Sequence, residues 1–390
     1  MIQISVVANV PSFDGLEEAW RELQRVCVGA SIFLTWDWQR LWWKHYGERR
    51  ELRILIARTA DRIVGILPLY IDRHRKAGGL FAARKLRQIG VGGDTSPDDL
   101  GALFSPDHEH ETSGAMAEYL LKGMTDWDML DWTDLPPQCP LVPELQKRFL
   151  ESNIRANCAS MPPITYGELP DDWESYRRNL SRNRRETMRR KRRKFECQPG
   201  AQVLTVEVAD ELDGAFDCLA ELHRLRWTGR TETPGFTSAQ YRGFHRDIMH
   251  VLLPQGRLRL MKLNMGRDTI AMLYCMRYRD TFYFFQSGFD PAYAEYSPGD
   301  VLLGYAIEHA IAEGCRIFDM LKGDHDYKRH FFQQDRQNLE LRAFRPGLIE
   351  LAYRAKDAWR AWTSAGRVSD AQDPLPAGGK AANAVVEPHS

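Results

Sequence analysis

The chain has 390 residues, 43% of them hydrophobic and 11% aromatic, which is ample for two ordinary hydrophobic cores. With 53 basic and 53 acidic residues its formal charge is zero, so no global field points to nucleic acid or an anionic membrane, and any charged partner must be met locally. The start lacks a basic, apolar leader, no apolar run is long enough to span a bilayer, and seven scattered cysteines form no CxxC pair; the expectation is a cytoplasmic protein with reduced thiols and no structural metal.

Residues 2–8 read as a strand. The next segment has apolar residues at Leu16, Ala19, Trp20, Leu23 and Val26, one face of a 3.6-residue period, and a second helix is expected over Trp36–Tyr46. A hairpin follows, with the polar reversal Thr59-Ala60-Asp61-Arg62 between two apolar runs. Then come the glycine-rich segment Gly90–Asp99, a helix near 111–123, a short strand at 127–132, a helix from Leu141 and a strand near Ile154.

The second half repeats this order. A helix opens after Asp171-Asp172-Trp173 and runs into the basic stretch 177–194; a strand (203–208) and two helices (210–227, 238–251) precede a second hairpin. Leu52–Tyr70 aligns without a gap on Leu258–Met276 at an offset of 206 residues. A strand at 281–286, a helix from Ser297-Pro298 to Gly314 and a strand at 316–320 complete the copy. Helix, helix, hairpin, helix and strand occurring twice imply a duplicated α/β unit, and from about Ser364 the small, Gly- and Pro-rich composition predicts a disordered tail.

Three segments could carry chemistry. Tyr296-Ser297-Pro298-Gly299-Asp300 reads as a helix start with Ser297 as N-cap and Pro298 first in the helix, able to hold a phosphate on its free amides. Most such starts bind nothing, and Asp300 puts a negative charge at this one. After the strand ending at Asp319 comes a dense polar run, in which Asp319, Asp324 or Asp326 would serve as general base, Tyr327 as proton donor and Lys328 as charge clamp. A charged, capped turn explains the same residues. His325 and His330 lack metal-ligand spacing.

The stretch 177–194 interrupts its basic residues with one acid, Glu186. Arg184, Arg185 and Arg189 are therefore candidates to hold an anionic partner: a phosphate, a nucleotide sugar, RNA or acidic lipid headgroups. Neutralisation by acids elsewhere in the fold is the alternative. Trp36, Trp38 and Trp227 sit at helix ends, where aromatics are more often core than platform.

The order FLTWDWQRLWWKHYG, LRILIARTADRIVGILPLY, LSRNRRETMRRKRRKFE, LHRLRW and FDPAYAEYSPGDVLLGYAIEHAIAEGCRIFDMLKGDHDYKRHF resembles the CelD/BcsL-type, BioF2-like acyltransferases of the GNAT superfamily, over nearly all of residues 1–350. The resemblance implies an α/β fold of two tandem GNAT-like domains with mixed, mostly antiparallel sheets flanked by helices, related to the Fem peptidyltransferases. It implies domains at 1–164 and 165–350, with a C-terminal helix and tail at 351–390. It further implies acyl transfer from acyl-CoA, acetyl-CoA in the simplest case, to an amine or hydroxyl of a small-molecule or saccharide acceptor, in a family associated with exopolysaccharide or cellulose production. By position, Tyr296, Ser297, Pro298, Gly299 and Asp300 would face the donor pyrophosphate, and Asp319, Asp324, Tyr327 and Lys328 would line the reaction cleft. Arg184, Arg185, Arg189 and Trp227 are the substrate-binding candidates. The superfamily loop Gln/Arg-x-x-Gly-x-Gly/Ala is here reduced to one glycine and an acid. The alternatives are a Fem-like transferase using aminoacyl-tRNA, and a non-catalytic module that binds an anionic polymer or partner enzyme.

Overall fold

The structure, a computed structural model, describes residues 1–75, 82–95, 97–227, 235–323 and 326–369. Met1–Arg345 form one compact unit and Pro346–Ser390 another. In the first copy β1 (Gln3–Val7), α1 (Val10–Asp14), α2 (Glu17–Val26) and α3 (Trp36–Tyr46) lead to β2 (Glu51–Leu52), β3 (Ile54–Arg58), β4 (Ile63–Leu67) and β5 (Leu69–Arg75). Then come β6 (Ala82–Gln88), β7 (Leu103–Phe104), α4 (Glu109–Lys122), β8 (Met129–Leu135), α5 (Leu141–Glu151) and β9 (Arg155–Ser160).

β10 (Ile164–Glu168) ends the first copy, and the second contains α6 (Trp173–Asn179), α7 (Arg182–Glu196), β11 (Gln202–Thr205), α8 (Ala209–Trp227) and α9 (Ala239–Leu252). Its remaining elements are β12 (Leu258–Met265), β13 (Asp268–Tyr278), β14 (Thr281–Phe289), α10 (Pro298–Ala312), β15 (Ile317–Asp319), β16 (Gln334–Arg336) and β17 (Leu339–Phe344). In the second unit α11 spans Leu348–Ser369, so helix continues past the expected start of the tail at Ser364; residues 370–390 lie outside the described residues.

The hairpins match in register as well as in pattern. Leu52 faces Tyr70, and Leu258 faces Met276, each pair being the other shifted by 206 residues. Side chains alternate across a strand, so a shared register means that the same positions turn inward in both copies. Each copy then places one strand parallel to its third hairpin-sheet strand: β8 beside β6, and β15 beside β14.

Beyond that point the copies exchange strands. The sheets run β2-β5-β6-β8-β17-β9 and β11-β12-β13-β14-β15-β10-β16, with β1-β3-β4-β7 as a third. Thus β10 crosses from the first copy into the second sheet, and β17 crosses back. The two crossings lie side by side as one antiparallel ribbon: β9 pairs with β17, and β10 with β16. Between the pairs, Met161 N–H bonds to Asn338 O at 2.8 Å. Residue 164 lies at this crossing, and 339–344 sit among first-copy strands.

One aromatic core joins the copies. Trp38 and Phe33 of the first meet Phe244, Phe285 and Tyr283 of the second, with centroids 4.9–6.3 Å apart. Trp36 and Trp38 are accordingly core residues. No helix among the described residues is long and apolar enough to cross a membrane.

Candidate functional site

A parting of two parallel strands organises the site. β14 and β15 pair only at Thr281–Ile317, Phe282–Phe318 and Tyr283–Asp319. β15 then stops, whereas β14 continues to Phe289, leaving that edge from Phe284 onward without a strand partner among the described residues. A bulge adds to this: Tyr274 faces Gln286 but Cys275 faces Phe284, so Phe285 is the extra residue. Bulges redirect side chains. Here Phe284, Ser287 and Phe289 line one cavity, and Phe285 and Gln286 line another.

The first cavity, about 480 Å³, lies against the start of α10. Gly299 and Asp300 line it, and their amides have no acceptor among the described residues, as expected of a first helical turn. Pro298 is the first helical residue, but Ser297 does not cap by its side chain. The short turn at 291–296, itself capped by Asp290, delivers Ser297 in the left-handed region (φ 51°) rather than in the extended conformation usual for a capping residue. Tyr296 stacks under the Lys194 ammonium, 4.8 Å from its ring centroid. Asp300 pairs with Lys191 of α7, which offsets the negative charge at this helix start.

Arg226, near the end of α8, donates to the Ser287 hydroxyl and lies over the rings of Phe289 and Tyr327 at 5.7 and 5.6 Å. Burial pushes the Tyr327 hydroxyl above its ordinary pKa, so it keeps its proton at the cavity wall. Arg226 went unnoticed in the sequence; its position inside the LHRLRW run was the available signal. The side chain of neighbouring Trp227 lies outside the described residues, as does all of Asp324.

Two of the polar residues at and after the end of β15, Asp319 and Lys328, are structural. Asp319 is buried; its Oδ1 accepts from Leu321 N–H at 2.8 Å and its Oδ2 from Arg336 at 2.7 and 3.2 Å. Burial raises its pKa and Arg336 opposes that. With both oxygens engaged, Asp319 is an anchor and not the expected general base. Lys328 is equally buried, its ammonium donating to the carbonyls of Met320, Leu321 and Lys322 at 2.8, 2.7 and 3.1 Å. It clamps backbone rather than substrate. The turn it holds includes Leu321 (φ 54°) and Gly323 (φ 112°), both left-handed.

The same turn is tied to the first copy. Asp98, fully buried, accepts from Lys322 N–H at 2.8 Å and lies 3.3 Å from its ammonium, which also reaches Asp134 at 2.6 Å. Burial pushes the Asp98 carboxyl up to about 7, with Lys322 pulling it down. Since the folded value exceeds the unfolded 3.8, Asp98 adds stability that is complete below the unfolded pKa and lost as pH rises through about 7. Urea unfolding is expected to show roughly 1–2 kcal/mol more stability at pH 5.5 than at pH 7.5 from this group. That slope should vanish in Asp98→Asn.

The basic helix divides into two faces. Lys191, Arg192 and Lys194 meet Asp300, Glu308 and Glu295, with Arg192 also 4.0 Å over the Tyr305 ring. On this side the charge is neutralised within the fold, and α7 braces α10. Arg184 is half-buried in the groove between these helices, and Arg185 reaches Leu180 O at 3.4 Å. Arg189 is exposed, together with Arg182, Arg190 and Arg193.

The second cavity, about 560 Å³, lies between the copies on the opposite face of β14. Tyr241, Gln286, Lys322 and Asn338 line it with Asp94 and Asp134 of the first copy. Of these, Asp94 and Lys322 lay in segments the sequence singled out, Gly90–Asp99 and the polar run after Asp319. Among the described residues no group of three or more His, Cys, Asp or Glu side chains is placed to hold a metal.

Residues 182–329 match the model of an acetyltransferase (GNAT) domain. No curated protein matches the chain. Among solved structures the chain is similar to FemX, at 8% identity over 83% of this chain and 95% of that one, with a TM-score of 0.57. It is also similar to a conserved protein of unknown function from Bacteroides thetaiotaomicron VPI-5482, at 11% identity over 88% and 100%, with a TM-score of 0.53. At these identities the likeness is one of fold. The architecture is α/β, two tandem GNAT-like domains with mixed, mostly antiparallel sheets flanked by helices, and the matched residues 182–329 fall within the second copy.

Proposed function

We propose that the protein moves an acyl group, acetyl in the simplest case, from a coenzyme A thioester to an amine or hydroxyl. The parting of β14 from β15 carries this reading: it opens a gap with a cavity on each face, one at a helix start and one between the copies. The residues of the first cavity suit a pyrophosphate, with the Gly299 and Asp300 amides, the helix dipole and Arg226 as its partners. Bound there, the donor supplies an electrophilic carbonyl and a thiolate leaving group.

The unpaired edge of β14 offers backbone amides to the developing oxyanion. The acceptor's lone pair forms the new C–N or C–O bond as the C–S bond breaks. Its proton passes to a carboxylate, for which Asp326, at the wall of the first cavity, and Asp324 are the remaining candidates of the post-β15 run, and Tyr327 protonates the departing thiolate. A link to exopolysaccharide or cellulose production rests on the sequence resemblance. The exposed arginines of α7 favour one second reading, an aminoacyl-tRNA donor. It predicts salt-dependent RNA binding that is lost when the exposed Arg182, Arg189, Arg190 and Arg193 become Ala.

Isothermal titration with a panel of acyl-CoAs tests the donor; binding by none of them removes the assignment. Gly299 sharpens the test. A Cβ there would meet only the Phe289 ring, at 3.7 Å, an ordinary contact, so the protein itself does not require glycine. Gly299→Ala is expected to leave the melting temperature unchanged and to weaken acyl-CoA binding on the order of tenfold. Unchanged binding would place the pyrophosphate elsewhere.

A further inference from the structure

We propose that the cavity between the copies takes an acceptor bearing a protonated amine, and that Asp94 of the first copy selects it. This rests on the acyl-transfer reading and narrows its acceptor. The glycine-rich segment around Asp94 is shaped for presenting that residue. A Cβ at Gly92 would come within 2.3 Å of the Tyr70 hydroxyl, and one at Gly93 within 2.7 Å of the Tyr46 ring. Only glycine lets the chain press onto these two tyrosines, and the result is that Tyr46 donates its hydroxyl hydrogen bond to Asp94 Oδ1. Burial, with Asp94 itself, raises the Tyr46 pKa, so the proton stays on the phenol. The segment is therefore a mount for a carboxylate and not a second phosphate loop.

The charges lining the cavity are Asp94, Asp134 and Lys322. Lys322 is committed: its ammonium lies 2.6 Å from Asp134, 2.9 Å from Pro97 O and 3.3 Å from Asp98. Asp94 has no lysine or arginine partner among the described residues. The wall thus offers a carboxylate that lacks a cation and no spare cation for a phosphate. An ammonium gains charge-assisted hydrogen bonds there, whereas an anionic acceptor meets uncompensated negative charge. At about 560 Å³ the space suits a small molecule or the end of a longer one.

The test is binding to the full chain, followed by NMR or calorimetry, of 1,4-diaminobutane, hexan-1-ol and n-butyl phosphate, with acetyl-CoA titrated into the same preparations. The amine is expected to bind at least about tenfold more tightly than the other two probes. Asp94→Asn keeps an acceptor for Tyr46 and should lose that advantage while binding acetyl-CoA as before. Equal binding of n-butyl phosphate, or amine binding untouched in Asp94→Asn, overturns the proposal. Loss of acetyl-CoA binding alone, with selective amine binding retained, would count against the donor assignment instead.

Discussion

Replacing Lys328 by methionine is expected to destabilise the protein by about 3 kcal/mol or more, although methionine matches the length and apolar stem of lysine. The ammonium sits at the meeting point of the Met320, Leu321 and Lys322 carbonyls, and without it these buried acceptors lose a shared donor. An unsatisfied buried acceptor costs about 1–3 kcal/mol, which is why the loss exceeds that of an ordinary surface lysine. Lys328→Arg should not restore stability, because a planar guanidinium cannot aim three donors at one converging point. Urea unfolding measures both variants. A loss below about 1 kcal/mol in Lys328→Met would mean that the turn is held by other contacts.

Arg336→Met should be comparably damaging, at about 3–5 kcal/mol. Arg336 bonds Asp99 of the first copy at 2.6 and 2.8 Å and Asp319 of the second at 2.7 Å. Removing it leaves two largely buried carboxylates facing each other, the arrangement in which breaking an ion pair costs most. The cost should fall when Asp319→Asn is added, since one of the stranded charges is then gone. If the double variant unfolds as readily as the single, measured by the same denaturant titration, the two residues are not coupled and the network reading fails.

The duplicated hairpins and most helices were legible because their signals are local. Trp36–Tyr46 shows its helical period within eleven residues, and the matching register of the hairpins follows from alternation around each reversal. β10 and β16 escaped notice: they are short, and what makes them strands is a partner roughly 170 residues away. The site was legible as a region but not in its roles. A lysine in a polar run looks like a substrate clamp until the fold bends carbonyls from six to eight residues earlier around it. Likewise the excess charge of α7 looked unmatched because Asp300, Glu308 and Glu295 lie about 100 or more residues further on. Ser297 failed as a cap because the turn before it sets its backbone, which composition does not reveal.

The reciprocal crossing of β10 and β17 is the topology of a domain-swapped pair written into one polypeptide. Two identical subunits exchanging strands in this way would have to carry two identical clefts, because symmetry forbids any difference between them. Joining them end to end lifts that constraint. One cleft can keep the chemistry while its twin is free to drift into a recognition surface. A glycine-rich mount for a carboxylate in one copy, facing an unpaired strand edge in the other, is what such released symmetry would leave behind.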